Sequence, residues 1–347
     1  MTNALLPDLN HVLRHTPEVW DDLRNGHLFL TGGTGFFGCW LLESFLHAND
    51  QLDLRASVTV LTRDGEAFRA KAPHLAQHSA LTLWNGDVRS FAFPQDEYTH
   101  VLHVATDTDA ARNKANPLAM ADTIVEGTRR VLDFAVACGA RSFLLTSSGA
   151  VYGPQPPELS HVPETYRGGP DQTQAQWSYG ESKRMAELLC CLYGERHGLP
   201  VKIARCFAFV GPYLRLDGHF AIGNFIQDVM AGRAIQIRGD GTPLRSYLYA
   251  ADLAIWLWTM LVKAPSARPY NVGSEEALSI AQVARAVVEA LGVRTEIQIA
   301  GVPNEAKLAE RYVPSVARAR EELGLSQSIT VDDAIRRTAA WHEVLVH

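Results

Sequence analysis

The chain has 347 residues, 47% of them hydrophobic and 20% charged, with 26 Gly and 17 Pro. That balance describes a folded globular protein and excludes a disordered, collagen-like or disulfide-stapled one. Thirty-two basic against 38 acidic side chains leave a formal charge of −6 without blocks of like sign, so neither a nucleic-acid surface nor an anionic-membrane binder is expected.

Residues 1–26, with Pro7, Pro17 and apolar positions around Leu13 and Trp20, read as a helical extension packed on the main body. No basic stretch followed by an apolar core opens the chain, so no secretory leader is expected. From His27 the pattern becomes regular. His27–Thr31 is a short apolar strand ending in a Gly-rich turn, and a helical stretch runs from Phe36 to about His47. Further strands are predicted at Val58–Thr62, Leu81–Trp84, His100–Val104, Ser142–Thr146 and Val201–Arg205. Helices are predicted at Met120–Ala137 and Tyr179–His197, the second closed by Gly198 and Pro200. Strands alternating with helices indicate parallel βαβ units and an α/β, doubly wound parallel sheet.

After Gly211-Pro212 the alternation breaks down. Residues 278–291 and 331–343 look helical and 295–299 strand-like, within a smaller C-terminal region. The expected division is an extension at 1–26, a dinucleotide-binding domain at 27–212 and a mainly substrate-binding region at 213–347, interleaved with the first. The longest apolar run, Leu253 to Val262, is half the length of about 20 residues that a bilayer span needs. Cys39, Cys138, Cys190, Cys191 and Cys206 form no CxxC pair, the pattern of a reduced, cytoplasmic protein. No metal site is expected.

Thr31-Gly-Gly-Thr-Gly-Phe-Phe-Gly38 places Gly32, Gly35 and Gly38 between a strand and a helix. Such a turn lets backbone approach a pyrophosphate, and the helix N-terminus beyond it, at Phe36 and Phe37, presents unpaired N–H groups to the phosphates. The turn therefore points to NAD or NADP. An acid at the end of the second strand would hold the ribose hydroxyls of NAD, whereas an arginine accommodates a 2′-phosphate. Here Arg63 follows Thr62 directly, which favours NADP; Asp64 would serve NAD if the register slipped. Asp87, with Val88 beside it after the third strand, is placed to meet the adenine.

Tyr179 and Lys183 stand four residues apart on one helical face. A phenol ionises near 10, and a neighbouring ammonium moves it towards the working range. The segment Thr146-Ser-Ser-Gly-Ala-Val-Tyr-Gly153 brings a hydroxyl to the same sheet edge.

With the Gly turn, these residues resemble extended short-chain dehydrogenase/reductases, specifically the NAD-dependent nucleotide-sugar epimerase/dehydratase family. The resemblance spans nearly the whole chain. It includes Gly-Asp-Val at 86–88, His103-Val-Ala105, Val210-Gly-Pro212, Gly239 to Tyr249 with Asp252, Tyr270-Asn-Val-Gly273 and Ala319 to Gly324. It implies that Tyr179 is the catalytic acid/base, that Lys183 tunes it and holds the nicotinamide ribose, and that Ser148, or Ser147 in another register, bonds the reacting sugar oxygen. Ala105 falls in the cofactor's reach. Arg245 matches the arginine that grips a diphosphate, and Arg215, His219 and Asn224 lie in the segment that would cover the nucleotide.

Departures narrow the chemistry. Family dehydratases carry Asp-Glu where this chain has Gly149-Ala150, and related decarboxylases carry Glu at the position of Ala150. Ile124 stands where the family often has an Asn that orders the lysine, and Ala208 where it has an Asn for the nucleotide-sugar. The expectation is hydride transfer at sugar C4 of a nucleotide-diphosphate sugar by an epimerase, with an NADPH-dependent 4-keto reductase as the alternative, and behind both a 4,6-dehydratase or a non-catalytic dinucleotide-sensing protein. A homodimer through the Tyr-Lys helix is expected.

Overall fold

The computed structural model describes residues 4–106, 115–218, 220–304 and 308–346. Six strands come from the first 206 residues: β1 (His27–Thr31), β2 (Ser57–Thr62), β3 (Leu81–Asn85), β4 (His100–His103), β5 (Ser142–Ser148) and β6 (Val201–Cys206). Short strands follow: β7 (Phe209–Val210), β8 (Ile235–Ile237), β9 (Leu244–Arg245), β10 (Leu248–Tyr249), β11 (Pro269–Val272), β12 (Leu278–Ser279), β13 (Ile297–Ile299) and β14 (Arg311–Tyr312). The main sheet has seven strands in the order β11-β6-β5-β4-β1-β2-β3, every pair parallel. This is the doubly wound Rossmann arrangement expected from the alternation. Parallel strands covered on both faces read as continuous runs, which is why β4 and β5 are buried at every position.

The helices are α1 (Leu6–His15), α2 (Phe36–Leu52), α3 (Gly65–Lys71), α4 (Pro117–Ala137), α5 (Ser178–His197), α6 (Ala221–Met230), α7 (Ala250–Lys263), α8 (Ile280–Ala290), α9 (Ala317–Leu323) and α10 (Val331–Val346), with a helical turn at Pro73–Ala76. No described helix is long and apolar enough to cross a membrane. The apolar run after Asp252 is instead α7, buried from Ala250 to Leu261 and packed against α1, α2, β5 and β6. A helix that is apolar all round belongs in a core.

Two features depart from a simple division at residue 212. β11 adds the seventh strand beside β6, and α7 covers the sheet, so both return to the first unit. The remaining C-terminal elements build small sheets of their own: β8 with β13, and β12-β9-β14. The N-terminal extension is also held at its interior. Tyr249 donates to Asp8 at 2.6 Å, Arg337 on α10 pairs with the same carboxylate, and Trp20 lies against Trp258 with ring centroids 5.4 Å apart.

One buried network ties α5 to the sheet. Glu187 accepts from Ser147 at 2.5 Å and from Arg205 at 2.6–3.2 Å; Arg205 also donates to the Tyr152 hydroxyl, which donates to Asn271 on β11 at 2.7 Å. Removing one partner of a buried ion pair strands the other. Glu187→Ala should therefore lower unfolding free energy by about 3–5 kcal/mol in denaturant titrations; a loss below about 1 kcal/mol would show that Arg205 finds another partner or water.

Candidate active site

The C-terminal ends of β1, β2, β4 and β5 meet at one sheet edge, where ligands of open α/β sheets bind. At the end of β1, Gly32 has φ +72° and no room for a side chain: a Cβ would lie 2.6 Å from the Ala105 nitrogen. Gly38, one turn into α2, would drive a Cβ to 2.3 Å from the Gly32 carbonyl. α2 therefore starts hard against the turn. Its N-cap is Gly35, which offers no side-chain cap, so the N–H groups of Phe36, Phe37 and Gly38 open outward. Lys71 of α3 holds the turn by donating to the Thr34 carbonyl at 2.8 Å, and Ala105 is held by its N–H to Thr31 Oγ1 at 3.1 Å. An uncapped 17-residue helix behind a side-chain-free cradle fits a pyrophosphate.

At the end of β2 the alternatives left open by the sequence separate. The Asp64 carboxylate accepts the Ala67 N–H at 2.9 Å as the N-cap of α3, so that carboxylate is engaged in local structure. Arg63 is exposed and lines an open cavity of about 340 Å³ together with Thr62, Arg69 and Asn85. Asp87 is engaged as well: Arg89 grips it through Nε at 2.9 Å and Nη2 at 3.1 Å, which holds its carboxyl below the usual range. Val88 is buried against Gly127 of α4.

Tyr179 and Lys183 lie one turn apart on α5, and Ser148 closes β5 facing them. Ser148 is close enough to Tyr179 to ease ionisation of its phenol, and the Ser148 Oγ accepts the Ala150 N–H at 3.1 Å. Lys183 is 3% exposed and donates to Thr106 Oγ1 at 2.6 Å and to the Thr146 carbonyl at 2.8 Å. Burial acts on both groups in opposite senses. It pushes the Tyr179 phenol up to about 12, an effect eased by Ser148, and brings the Lys183 ammonium down to about 8. In the chain alone, desolvation thus outweighs the tuning expected from the Tyr-Lys spacing. His103 lies beyond Lys183, its ring nitrogens bonded to Thr31 at 2.8 Å and Thr128 at 3.0 Å, and burial keeps it neutral with a pKa of about 3.

Ser147 does not join this group. Strand alternation turns it to the opposite face, where it is 4% exposed and bound to Glu187. Arg215 is at the surface with Asp217 at 3.1–3.2 Å, and Asn224 lies one turn into α6, partly buried. His219 lies outside the described residues. Arg245 is carried by β9, directly opposite Tyr312 in the β9–β14 pairing, and donates to Glu310 at 2.7 Å. Two histidine pairs at helical spacing, His11/His15 and His74/His78, escape the sequence reading, but they hold local structure: His74 pairs with Glu43 at 2.7 Å and His78 with Asp50 at 3.1 Å.

Three residues here escape sequence reasoning. Thr106 takes the lysine contact, while Ile124, where an Asn was expected, is buried in the core. Tyr312 brings its hydroxyl to 3.5 Å from Ser148 Oγ, and Phe207 packs against Tyr312 at a 39° tilt with ring centroids 4.7 Å apart. Tyr312 sits in a two-residue strand far along the chain, and no spacing rule connects it to Tyr179.

Among curated proteins, the chain is 27% identical over 326 residues to UDP-glucuronic acid decarboxylase 6 of Arabidopsis thaliana, covering 92% of this chain and 91% of the relative. It is 27% identical to UDP-glucuronic acid decarboxylase 1 of Xenopus tropicalis, covering 90% and 70%. A dTDP-glucose 4,6-dehydratase from Streptomyces venezuelae, solved with NAD bound, shares the fold at a TM-score of 0.78 and 24% identity over 92% of this chain and 97% of that one. A UDP-glucuronic acid 4-epimerase from Bacillus cereus, also solved with NAD, gives 0.78 and 20% over 92% and 99%. The sequence profile of the NAD dependent epimerase/dehydratase family matches residues 28–273, from β1 to the end of β11 and its following glycine. On that match, which spans the Gly turn, the Ser148 strand and the Tyr179 helix, the chain belongs to the NAD dependent epimerase/dehydratase family.

Proposed function

We propose that this chain transfers hydride at C4 of a nucleoside-diphosphate sugar, as an epimerase-type enzyme of the cytoplasm. The observation that carries the reading is the meeting of Tyr179, Ser148 and buried Lys183 at the sheet edge that also holds the uncapped start of α2. Gly32 to Gly38, Arg63, Val88, Ala105 and Lys183 would hold the dinucleotide, which supplies the hydride acceptor and donor when bound. The chain's own residues move the proton. Tyr179 takes it from the C4 hydroxyl on oxidation and returns it on reduction, while Ser148 hydrogen-bonds the same oxygen. Lys183 favours the ionised phenol by its charge. Arg245 exchanges Glu310 for the diphosphate, whose oxygens match its planar fork.

Two neighbouring chemistries lack their groups here. Gly149 and Ala150 supply no carboxylate, and a Cβ at 149 would meet Phe207 at 2.7 Å and the Tyr312 hydroxyl at 2.8 Å. A net 4-keto reductase is the second reading, favoured by Arg63 beside a committed Asp64, since NADP(H) suits an enzyme that exchanges its cofactor each turnover. An apolar stripe of Met185, Leu188 and Leu192 on α5, 44–50% exposed, supports a homodimer in which a second copy covers this helix.

A panel of UDP-, dTDP-, CDP- and GDP-sugars with products resolved by NMR tests the reading and separates epimerisation from net reduction. On the substrate turned over, Tyr179→Phe should reduce turnover by about 10²–10⁴-fold with cofactor binding retained; wild-type turnover would remove Tyr179 from the chemistry. Calorimetry on Arg245→Leu should show nucleotide-sugar binding weakened by about 2–5 kcal/mol and dinucleotide binding unchanged. Unaltered affinity for every nucleotide-diphosphate ligand would place Arg245 outside the site. NADP should bind at least about tenfold tighter than NAD, as two charge-assisted bonds from Arg63 to a 2′-phosphate would give. That gap should close in Arg63→Ala. Tighter NAD binding that ignores the substitution would make Arg63 a surface residue only.

A further inference from the structure

Among the described residues, Tyr213 is the one aromatic residue in the left-handed backbone region, with φ +71°. A bulky side chain is disfavoured there, and such strain persists only where the surroundings hold it. Here they hold it from several sides. The Tyr213 phenol donates to Glu43 Oε1 on α2 at 2.5 Å, and its ring lies 4.7 Å from that of Trp341 on α10. The carbonyls on either side are pinned as well. Pro212 accepts from Trp40 Nε1 of α2 at 2.8 Å, and Leu214 from His342 Nε2 of α10 at 3.1 Å.

The strained residue stands between two parts of the site. On one side is the cofactor cradle. Glu43 lies about two turns into α2, the helix whose uncapped start fits a pyrophosphate, and its Oε1 also binds His74 Nε2 at 2.7 Å. Lys71, which donates to the Thr34 carbonyl of the Gly turn at 2.8 Å, places its ammonium 5.8 Å from the centre of the Tyr213 ring. On the other side, residues 214–218 carry Arg215 and lead into α6 and Asn224, the segment expected over the nucleotide. That segment beds closely on α6, since a Cβ at Gly223 would lie 3.4 Å from the Arg215 carbonyl.

We infer that Tyr213 is a positioning residue: its strained backbone, held by the bond from its phenol to Glu43, sets the direction in which residues 214–218 leave the cofactor helix and so preforms the nucleotide-sugar site. The inference deepens the proposed function and rests on that segment meeting a nucleoside diphosphate. A site ordered before its ligand arrives spares the ligand the cost of ordering it. Packing alone needs only the ring of Tyr213. The hydroxyl fixes the turn.

Tyr213→Phe keeps the ring and removes that one bond, which frees the turn to relax towards negative φ. UDP, dTDP, CDP and GDP are titrated calorimetrically into the intact chain, and NAD and NADP separately. The nucleoside diphosphate that wild type binds best should bind Tyr213→Phe about tenfold more weakly, with dinucleotide affinity unchanged. Glu43→Leu should give the same loss, and the double variant no more than either single one, as for two halves of one interaction. Glu43→Gln, whose amide oxygen still accepts the phenol, should keep wild-type affinity. Unaltered diphosphate affinity in Tyr213→Phe, parallel losses for diphosphate and dinucleotide, or additive losses in the double variant each overturn the inference. Circular dichroism and thermal unfolding check each fold, and if Glu43→Leu does not fold, Tyr213→Phe against Glu43→Gln still decides. A wild type that binds none of the four diphosphates removes the proposed function and this inference with it. A wild type that binds one, matched by Tyr213→Phe, removes the inference alone.

Discussion

In the proposed reaction Tyr179 and Lys183 would each act through a charged form, yet both sit where water solvates charge poorly. Desolvation drives the phenol up and the ammonium down, towards a neutral pair. Much of the surrounding structure answers that constraint with fixed dipoles. Thr106 and the Thr146 carbonyl take the lysine protons, Ser148 meets the phenol, and His103 is held neutral so that no second cation competes. Groups already oriented in the folded chain need no reorganisation when charge develops, which is the main electrostatic advantage of a protein site over water.

The same constraint explains why the polar network below the site is fully paired. Glu187 lies one turn beyond Lys183, and its negative charge supports the ammonium across the helix. Left alone, that carboxylate would carry a large burial cost, so Arg205 and Ser147 bind it, and Arg205 is in turn stacked over Tyr152 with its guanidinium 4.8 Å from the ring centre. The network runs from the helix through β5 and β6 to β11. The proposed site and the fold's stability therefore share this network, and a substitution there would act on both.

Much of this was legible in the sequence wherever a local rule applied. The strand starts at His27, Leu81, His100, Ser142 and Val201 follow from apolar runs bounded by turn residues, and Gly198 closes α5 in the left-handed conformation expected of it. The Gly turn and the Tyr179–Lys183 pair are visible because one segment supplies each. Illegible were features built from distant segments. β11 joins the sheet through pairing with β6 rather than through its own short run, and α7 has too few polar residues to show a helical stripe. Ser147 and Ser148 are adjacent and chemically alike; only the strand continuing through both assigns them to opposite faces. Tyr312 reaches Ser148 across 164 residues, a distance at which periodicity says nothing.

Asp8 links regions from opposite ends of the sequence. This one buried carboxylate receives Tyr249 at the start of α7 and Arg337 in α10, more than three hundred residues further on. Asp8 can be fully paired only when α1, Tyr249 and α10 have come together, and until then its carboxylate is solvated. Contacts of such sequence separation slow folding. Loss of either α1 or α10 would strand the buried partner carried by the other, so the two helices stand or fall together.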